Sequence, residues 1–176
     1  MIKLIEPIKE LENEIFEYKK EMIASCDEEL NGCGGLDRYS GFEEWLEHLH
    51  SYADRNKLDP SSGFVEGRQY LLVDDEKRRV LGMVNVRHYL SPFLYQVGGH
   101  IGFSVRPSER RRGYGKLQLL LALEKLKEID VNKVLVTCSS ENIASSKTIE
   151  ACGGILENEL FSDRYNCFIK RYWISI

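Results

Sequence analysis

The sequence predicts an α+β fold of mixed α/β layers, and two observations carry that prediction. Apolar residues recur at helical spacing through the first 56 residues and at alternating positions from residue 70 onward, so helices open the chain and strands follow. Between 95 and 138 a strand, an apolar helix and a second strand run in succession. Such a crossover requires the two strands to lie parallel in one sheet.

The elements follow in order. Residues 2–5 form a short edge strand stopped by Pro7. Ile8, Leu11, Ile15, Tyr18 and Met22 give 8–24 an amphipathic helix. Three glycines between Asn31 and Gly35 require a loop. A second helix spans about 41–56, with Phe42, Trp45, Leu46, Leu49 and Tyr52 on one face; Trp45 and Tyr52 are core residues before they are pocket residues. After the loop at 59–63, Tyr70–Val73 and Val80–His88 are strands around the polar turn 74–77. A third strand covers 95–105, where Gly98, Gly99 and Gly102 signal a bulge or a close approach to the backbone. Leucines fill a helix at 113–129, a buried-type strand follows at 133–138, and a helix at 142–152 ends on Gly153-Gly154. Two strands, near 155–161 and 165–175, complete the chain.

Length and composition exclude several classes. With 176 residues the chain is one domain, 1–176, able to bury a core without metals or disulfides. No stretch approaches the roughly 20 apolar residues of a membrane span, and the N-terminus lacks the basic and apolar regions of a signal peptide. Five cysteines without a C-x-x-C pair fit a reducing cytoplasm better than a disulfide framework. His48, His50, His88 and His100 have no ligand spacing with them, so no metal site is expected. The net charge of −4 divides into −8 over residues 1–60 and +4 over 61–176. That pattern argues against nucleic-acid binding. It permits an anionic ligand on the second part and a cationic one near the first, or simply two solvated surfaces.

The sharpest feature runs from Val105-Arg106-Pro107 through Arg110-Arg111-Arg112 to Gly113-Tyr114-Gly115-Lys116. A strand ends, and a helix begins at the glycines. Backbone amides there would lack intrahelical partners at the positive end of the helix dipole, with arginines and Lys116 around them. The reading is an anion site suited to a pyrophosphate; the alternative is a glycine turn with solvated arginines. Neither the Walker A loop nor the dinucleotide fingerprint fits, since residue 117 is Leu and residue 118 is Gln.

Arg110 to Gly115 does match the pattern Gln or Arg, two residues, Gly, one residue, Gly or Ala. A second block, Asn142-Ile143-Ala144-Ser145 followed by a helix ending at Gly153-Gly154, stands at the matching separation. In these two blocks the chain resembles the GNAT superfamily of N-acetyltransferases, and the wording around Gly99–Arg110 looks like a bacterial branch of it. The resemblance implies a central mixed sheet of about six to seven strands, splayed between the strands at 95–105 and 133–138 and flanked by helices. It implies acetyl-CoA as co-substrate, with 61–176 as the cofactor-binding core and 1–60 as the acceptor side. Phe103, Ser104 and Val105 would pair with the pantetheine arm, and Arg110, Arg111, Arg112, Gly113, Tyr114, Gly115 and Lys116 would hold the pyrophosphate. Asn142 would hydrogen-bond the cofactor with Ser145 close by, although Asn142 is also a good N-cap.

The implied chemistry is direct attack by a neutral amine on the thioester in a ternary complex. His100 is the candidate general base, with a structural histidine as the alternative. The family's tyrosine proton donor would fall at Ile149, so Tyr165, or failing it Tyr172, is nominated instead. Glu43, Glu44 and Glu47, with Asp27, Glu28 and Glu29, would attract a small cationic amine, unless they are only solvated helix surface. A protein or peptide acceptor, or a non-catalytic acyl-CoA sensor, stays open. The aromatic end from Phe168 to Trp173 would allow a homodimer.

Overall fold

The computed structural model describes residues 1–25 and 30–176. Seven strands form one mixed sheet: β1 (Ile2–Ile5), β2 (Gly67–Asp74), β3 (Arg79–Arg87), β4 (Ile101–Val105), β5 (Lys133–Ser139), β6 (Ile155–Ser162) and β7 (Cys167–Ser175), in the order β1-β2-β3-β4-β5-β7-β6. Every neighbouring pair is antiparallel except β4 and β5, the pair the crossover requires.

Four helices cover the two faces. Helices α1 (Glu12–Ala24) and α2 (Phe42–Ser51) share a core with one face, where Ile15, Tyr18, Met22, Phe42, Trp45 and Leu49 pack on Leu71, Val73 and Met83. Helix α3 (Tyr114–Lys127) and helix α4 (Ile143–Glu150) cover the other, where Leu119, Leu123, Leu126 and Ile149 pack on Val84, Val86, Val134 and Val136. Strand alternation produces this sorting, because successive residues point to opposite faces.

Two sequence expectations change. The helix expected to reach residue 56 ends at Ser51, and Tyr52 has left helical geometry at φ −119°. The strand expected over 95–105 is strand only from Ile101; residues 94–98 form one wide helical turn closed by the Gly99 amide on the Leu94 carbonyl at 2.6 Å. The Ser91 hydroxyl caps that turn through the Leu94 amide, and Pro92 occupies a position where proline suits a helix start.

Gly99 lets the two halves of the sheet meet. Its φ is +64°, and a Cβ there would lie 2.6 Å from the Leu135 carbonyl oxygen. The His100 amide donates to that carbonyl at 2.7 Å, and Ile101 registers with Val136 as the single paired position between β4 and β5. Beyond Ile101 the two strands diverge.

Candidate active site

The divergence opens a slot of about 360 Å³, lined by Gly102 and Phe103 of β4, Thr137 to Ser139 of β5, Asn142 and Ser145 at the start of α4, and Tyr165. Arg87 donates its amide to His100 and Arg106 donates to Leu81, so the even-numbered residues of β4 point their amides and carbonyls at β3. Ser104 therefore pairs with β3, and its carbonyl also accepts from Gln118 at 3.1 Å. Its hydroxyl meets Tyr18 and Cys33 on the α1 side. Phe103 and Val105 turn their backbone groups toward the open side. Of the three residues expected to pair with a pantetheine arm, these two have the required orientation and Ser104 does not.

The anion turn lies at the end of β4. Gly113, at φ +82°, begins α3 without any side-chain cap, and Arg111 also has a positive φ of 63°. The amides of Arg111, Arg112 and Gly113 make no hydrogen bond among the described residues, and those of Tyr114, Gly115 and Lys116 belong to the open first turn. A Cβ on Gly115 would approach both Thr148 of α4 and Val105 of β4, at 3.6 and 3.7 Å. The turn thus lies between the end of β4 and α4, the two elements that flank the slot.

Its arginines have different partners. Arg112 pairs with Glu109 at 2.9 Å, and Arg110 donates to the Val105 carbonyl at 3.2 Å. Arg106, read as part of the same positive cluster, is instead buried beneath α1, bound to Glu14 at 2.7 Å and Glu21 at 3.0 Å. Burial pushes the Glu21 carboxyl up, but hydrogen bonds from Ser108 and Arg106 outweigh it and hold it below its ordinary range.

Asn142 caps α4, its Oδ1 accepting the Ser145 amide at 3.0 Å, while both residues face the cavity. The N-cap and the slot-facing position coexist. Ile149, where a tyrosine would stand, is fully buried. Tyr172 is also core, its hydroxyl donating to Glu150 at 3.1 Å. Tyr165 lies in the β6–β7 turn and faces the cavity.

His100 does not fit the role of base. Its ring is buried and its Nδ1 accepts the Leu135 amide at 2.9 Å, so the neutral ring carries its proton on Nε2 and keeps no free lone pair. Burial lowers its pKa to about 4, and an amide donated to the neutral ring's lone pair acts in the same direction. It is a structural histidine on the β4–β5 seam.

A second cavity, about 830 Å³, lies against the slot. The 31–38 loop, Tyr52, the 62–65 loop, Asn85, Arg87 and the β6–β7 turn enclose it. The loop presses on β4 so closely that a Cβ on Gly32 would lie 2.4 Å from the Gly102 carbonyl oxygen. Gly32 and Gly102 are explained by this contact. Gln69 anchors the loop by donating to the Gly32 carbonyl at 2.7 Å, and Asn85 bridges Gln69 and the Tyr52 hydroxyl. Desolvation raises the Tyr52 hydroxyl to about 12, so it stays neutral. Sequence reading missed this polar strip. Its signal is Asn85 and Arg87, which share a face with Met83 and alternate with Val84 and Val86: two polar residues where a helix-covered face should be apolar.

A sheet parted at one parallel pair, with an uncapped helix start beside the gap, defines a class of fold built to hold an extended ligand with an anionic group. The chain matches the profile of the acetyltransferase (GNAT) domain over residues 18–155 and belongs to that family of acyltransferases. Among solved structures it is similar to a ribosomal L7/L12 alpha-N-protein acetyltransferase in complex with coenzyme A, at 14% identity and TM-score 0.72, covering 99% of this chain and 94% of that one. It is similar to a ribosomal-protein-S5-alanine acetyltransferase from Vibrio fischeri, at 14% and 0.69, covering 99% and 91%. It is also similar to a mutant spermidine/spermine N-acetyltransferase from Vibrio cholerae, at 14% and 0.62, covering 99% and 95%. A search of curated proteins finds no match. Among the described residues, no helix is long and apolar enough to cross a membrane.

Proposed function

We propose that the chain transfers the acetyl group of acetyl-CoA to the primary amine of a small molecule, by direct attack in a ternary complex. The observation that carries this reading is the junction of the two cavities: Asn31, Arg87, Phe93, Leu94 and Tyr165 line both. Pantetheine would run along Phe103 and Val105, its pyrophosphate against the amides of 111–116. The thioester would reach the junction, where the acceptor enters from the larger cavity. Acetyl-CoA supplies the activated acyl group and a thiolate leaving group. Tyr165, which lines both cavities, is the candidate to donate its hydroxyl proton to that thiolate. No side chain at the junction is assigned as base, and the amine enters neutral.

A cavity of about 830 Å³ falls within the range of small-molecule sites, which favours this reading over a protein acceptor. The acids expected to attract a cationic acceptor lend that expectation no support from the described residues. Glu43, Glu44 and Glu47 project from the exposed face of α2 and do not line the cavity, while Asp27, Glu28 and Glu29 lie outside the described residues. The test is thiol release from acetyl-CoA against a panel of amines, with acetyl-CoA binding measured in parallel. Turnover with Tyr165→Phe reducing kcat by roughly 10–100-fold at unchanged acetyl-CoA affinity supports the assignment. Tight acetyl-CoA binding without turnover on any amine supports the sensor reading instead.

A further inference from the structure

The acceptor cavity holds a cation that the protein leaves half-coordinated. Arg87 ends β3 on the face toward α1 and α2, and its backbone amide is fixed to the His100 carbonyl at 2.8 Å. Its Nη1 donates to the Gly98 and Gly99 carbonyls at 2.7 and 3.0 Å. Those bonds lock the guanidinium plane. Among the described residues, Nε and Nη2 have no hydrogen-bond partner and no carboxylate lies within ion-pair distance of the group. Nη2 lies over Gly102, 3.2 Å from where a Cβ would stand, so only glycine leaves this space. The Nε–Nη2 edge is a complete fork for two oxygens of one anion.

The surroundings have the same sign. Arg38 and Arg164 line the cavity with Arg87, and Asp37 is the single acid among its described lining residues. Arg164 is held over the Phe93 ring at 4.9 Å, which keeps its charge at the mouth. Burial lowers the His48 pKa, with Arg38 adding to the effect, so His48 contributes no compensating charge change near neutrality. His48, Tyr52 and Phe64 pack ring against ring at 5.3 to 5.6 Å and give the opposite wall an aromatic surface. A polyamine entering this cavity would meet like charge. An amine with an anionic group would complete the Arg87 fork.

We infer that the acceptor is an anionic amine: a primary amine, neutral when it attacks, whose other end carries a carboxylate or a comparable oxyanion, bound side-on by Nε and Nη2 of Arg87 with the amine directed to the junction. This deepens the acetyltransferase reading and rests on it. The carboxylate orders the acceptor, and Arg38 and Arg164 draw it in. A protein N-terminus carries an amide where this site asks for an anion, so the inference separates the two acceptor classes chemically.

The test uses the full-length enzyme, acetyl-CoA and matched acceptors: phenylalanine, phenylalaninamide, phenethylamine, the aminophosphonate analogue of phenylalanine, and spermidine. Thiol release gives kcat and KM for each. In a second arm, N-acetylphenylalanine and its N-methylamide are titrated into the enzyme with CoA present. A charge-assisted pair is worth enough for about a tenfold or larger preference. We expect the carboxylate or phosphonate member to win by that factor, chiefly in KM and in product affinity, and the ratio of the two anions to identify the oxyanion. Arg87→Gln should reduce the preference to about twofold, with the anionic acceptors losing far more in KM than the neutral ones. Should that variant fail to fold, Arg38→Gln with Arg164→Gln, on exposed side chains, must still narrow it about threefold. Equal or better use of the amide, phenethylamine or spermidine overturns the inference, as does equal binding of the two products. A uniform loss of kcat in Arg87→Gln for all acceptors overturns it too, since Arg87 would then act on the thioester. Absence of acetyl-CoA binding would instead sink the underlying acetyltransferase reading, while the product titration still decides whether the cavity selects an anion.

Discussion

His100 shows how one hydrogen bond decides a residue's role. Its place on the central strand and its ordinary pKa suggested a base, but the sequence could not reveal that the Leu135 amide, 35 residues away, occupies Nδ1. The consequence is a measurable acid sensitivity. In the unfolded chain the ring titrates near 6.5, and in the fold near 4. Between those values the unfolded state binds the extra proton, so stability falls as pH drops from about 6.5 toward 4 and is fully present above that window. The ceiling is roughly 3 kcal/mol. His100→Asn keeps an acceptor for the Leu135 amide and removes the titration. Urea midpoints at pH 7 and 4.5 should fall further apart in the wild type than in the variant; equal pH slopes would remove this account of His100. Arg87 is the converse case. Its alternation with Val84 and Val86 marked it as polar on a covered face, but its significance lies in what the fold leaves unpaired around it.

At the scale of elements, the periodic segments were legible. The apolar faces of α1 and α2, the leucines of α3 and the parallel crossover all follow from spacing that each segment carries within itself. What escaped depended on partners remote in sequence. Arg106 looked like one more cation of the anion turn, yet its partners on α1, Glu14 and Glu21, precede it by 92 and 85 residues. It fastens α1 to the β3–β4 ladder, also donating to the Val80 carbonyl at 3.1 Å. Arg106→Met should destabilise by about 3 kcal/mol, because two partly buried carboxylates lose their cation. In a domain of this size that lowers Tm by roughly 6–12 °C, and calorimetry would measure it. A shift below a degree or two would mean α1 is held by its apolar face alone. The glycine turn behaves differently. Nothing lies within 4 Å of a Cβ built on Gly113, so Gly113→Ala meets no clash, but φ +82° strains any side chain by about 1–2 kcal/mol. Relaxing that strain would turn the amides away from a pyrophosphate. Acetyl-CoA should then bind at least about tenfold more weakly to a protein that still folds, and an unchanged affinity by titration would move the pyrophosphate elsewhere.

For the whole molecule, the parted sheet is the decisive feature. Strands β1 to β4 form one ladder and β5, β7 and β6 another, joined by the single registered pair Ile101–Val136 and the contacts of Gly99 and His100 beside it. The glycines suggested a close approach at 98–102, but not that one of them closes the seam and another receives the 31–38 loop. A ligand along β4 would therefore act as a missing strand between two half-sheets. Its binding energy adds to fold stability, by about 2.7 kcal/mol at a concentration one hundred times Kd. The backbone polarity of β4 sharpens the expectation. The amides of Phe103 and Val105 face the slot, whereas that of Ser104 faces β3. Hydrogen exchange without ligand should be fast at 103 and 105 and slow at 104. Added CoA should slow 103 or 105 together with 111–116, leaving 104 as it was. Protection confined to 111–116 would mean that the nucleotide end docks on the turn while pantetheine takes another path, and the junction at Arg87 and Tyr165 would then lose its claim to the acetyl group.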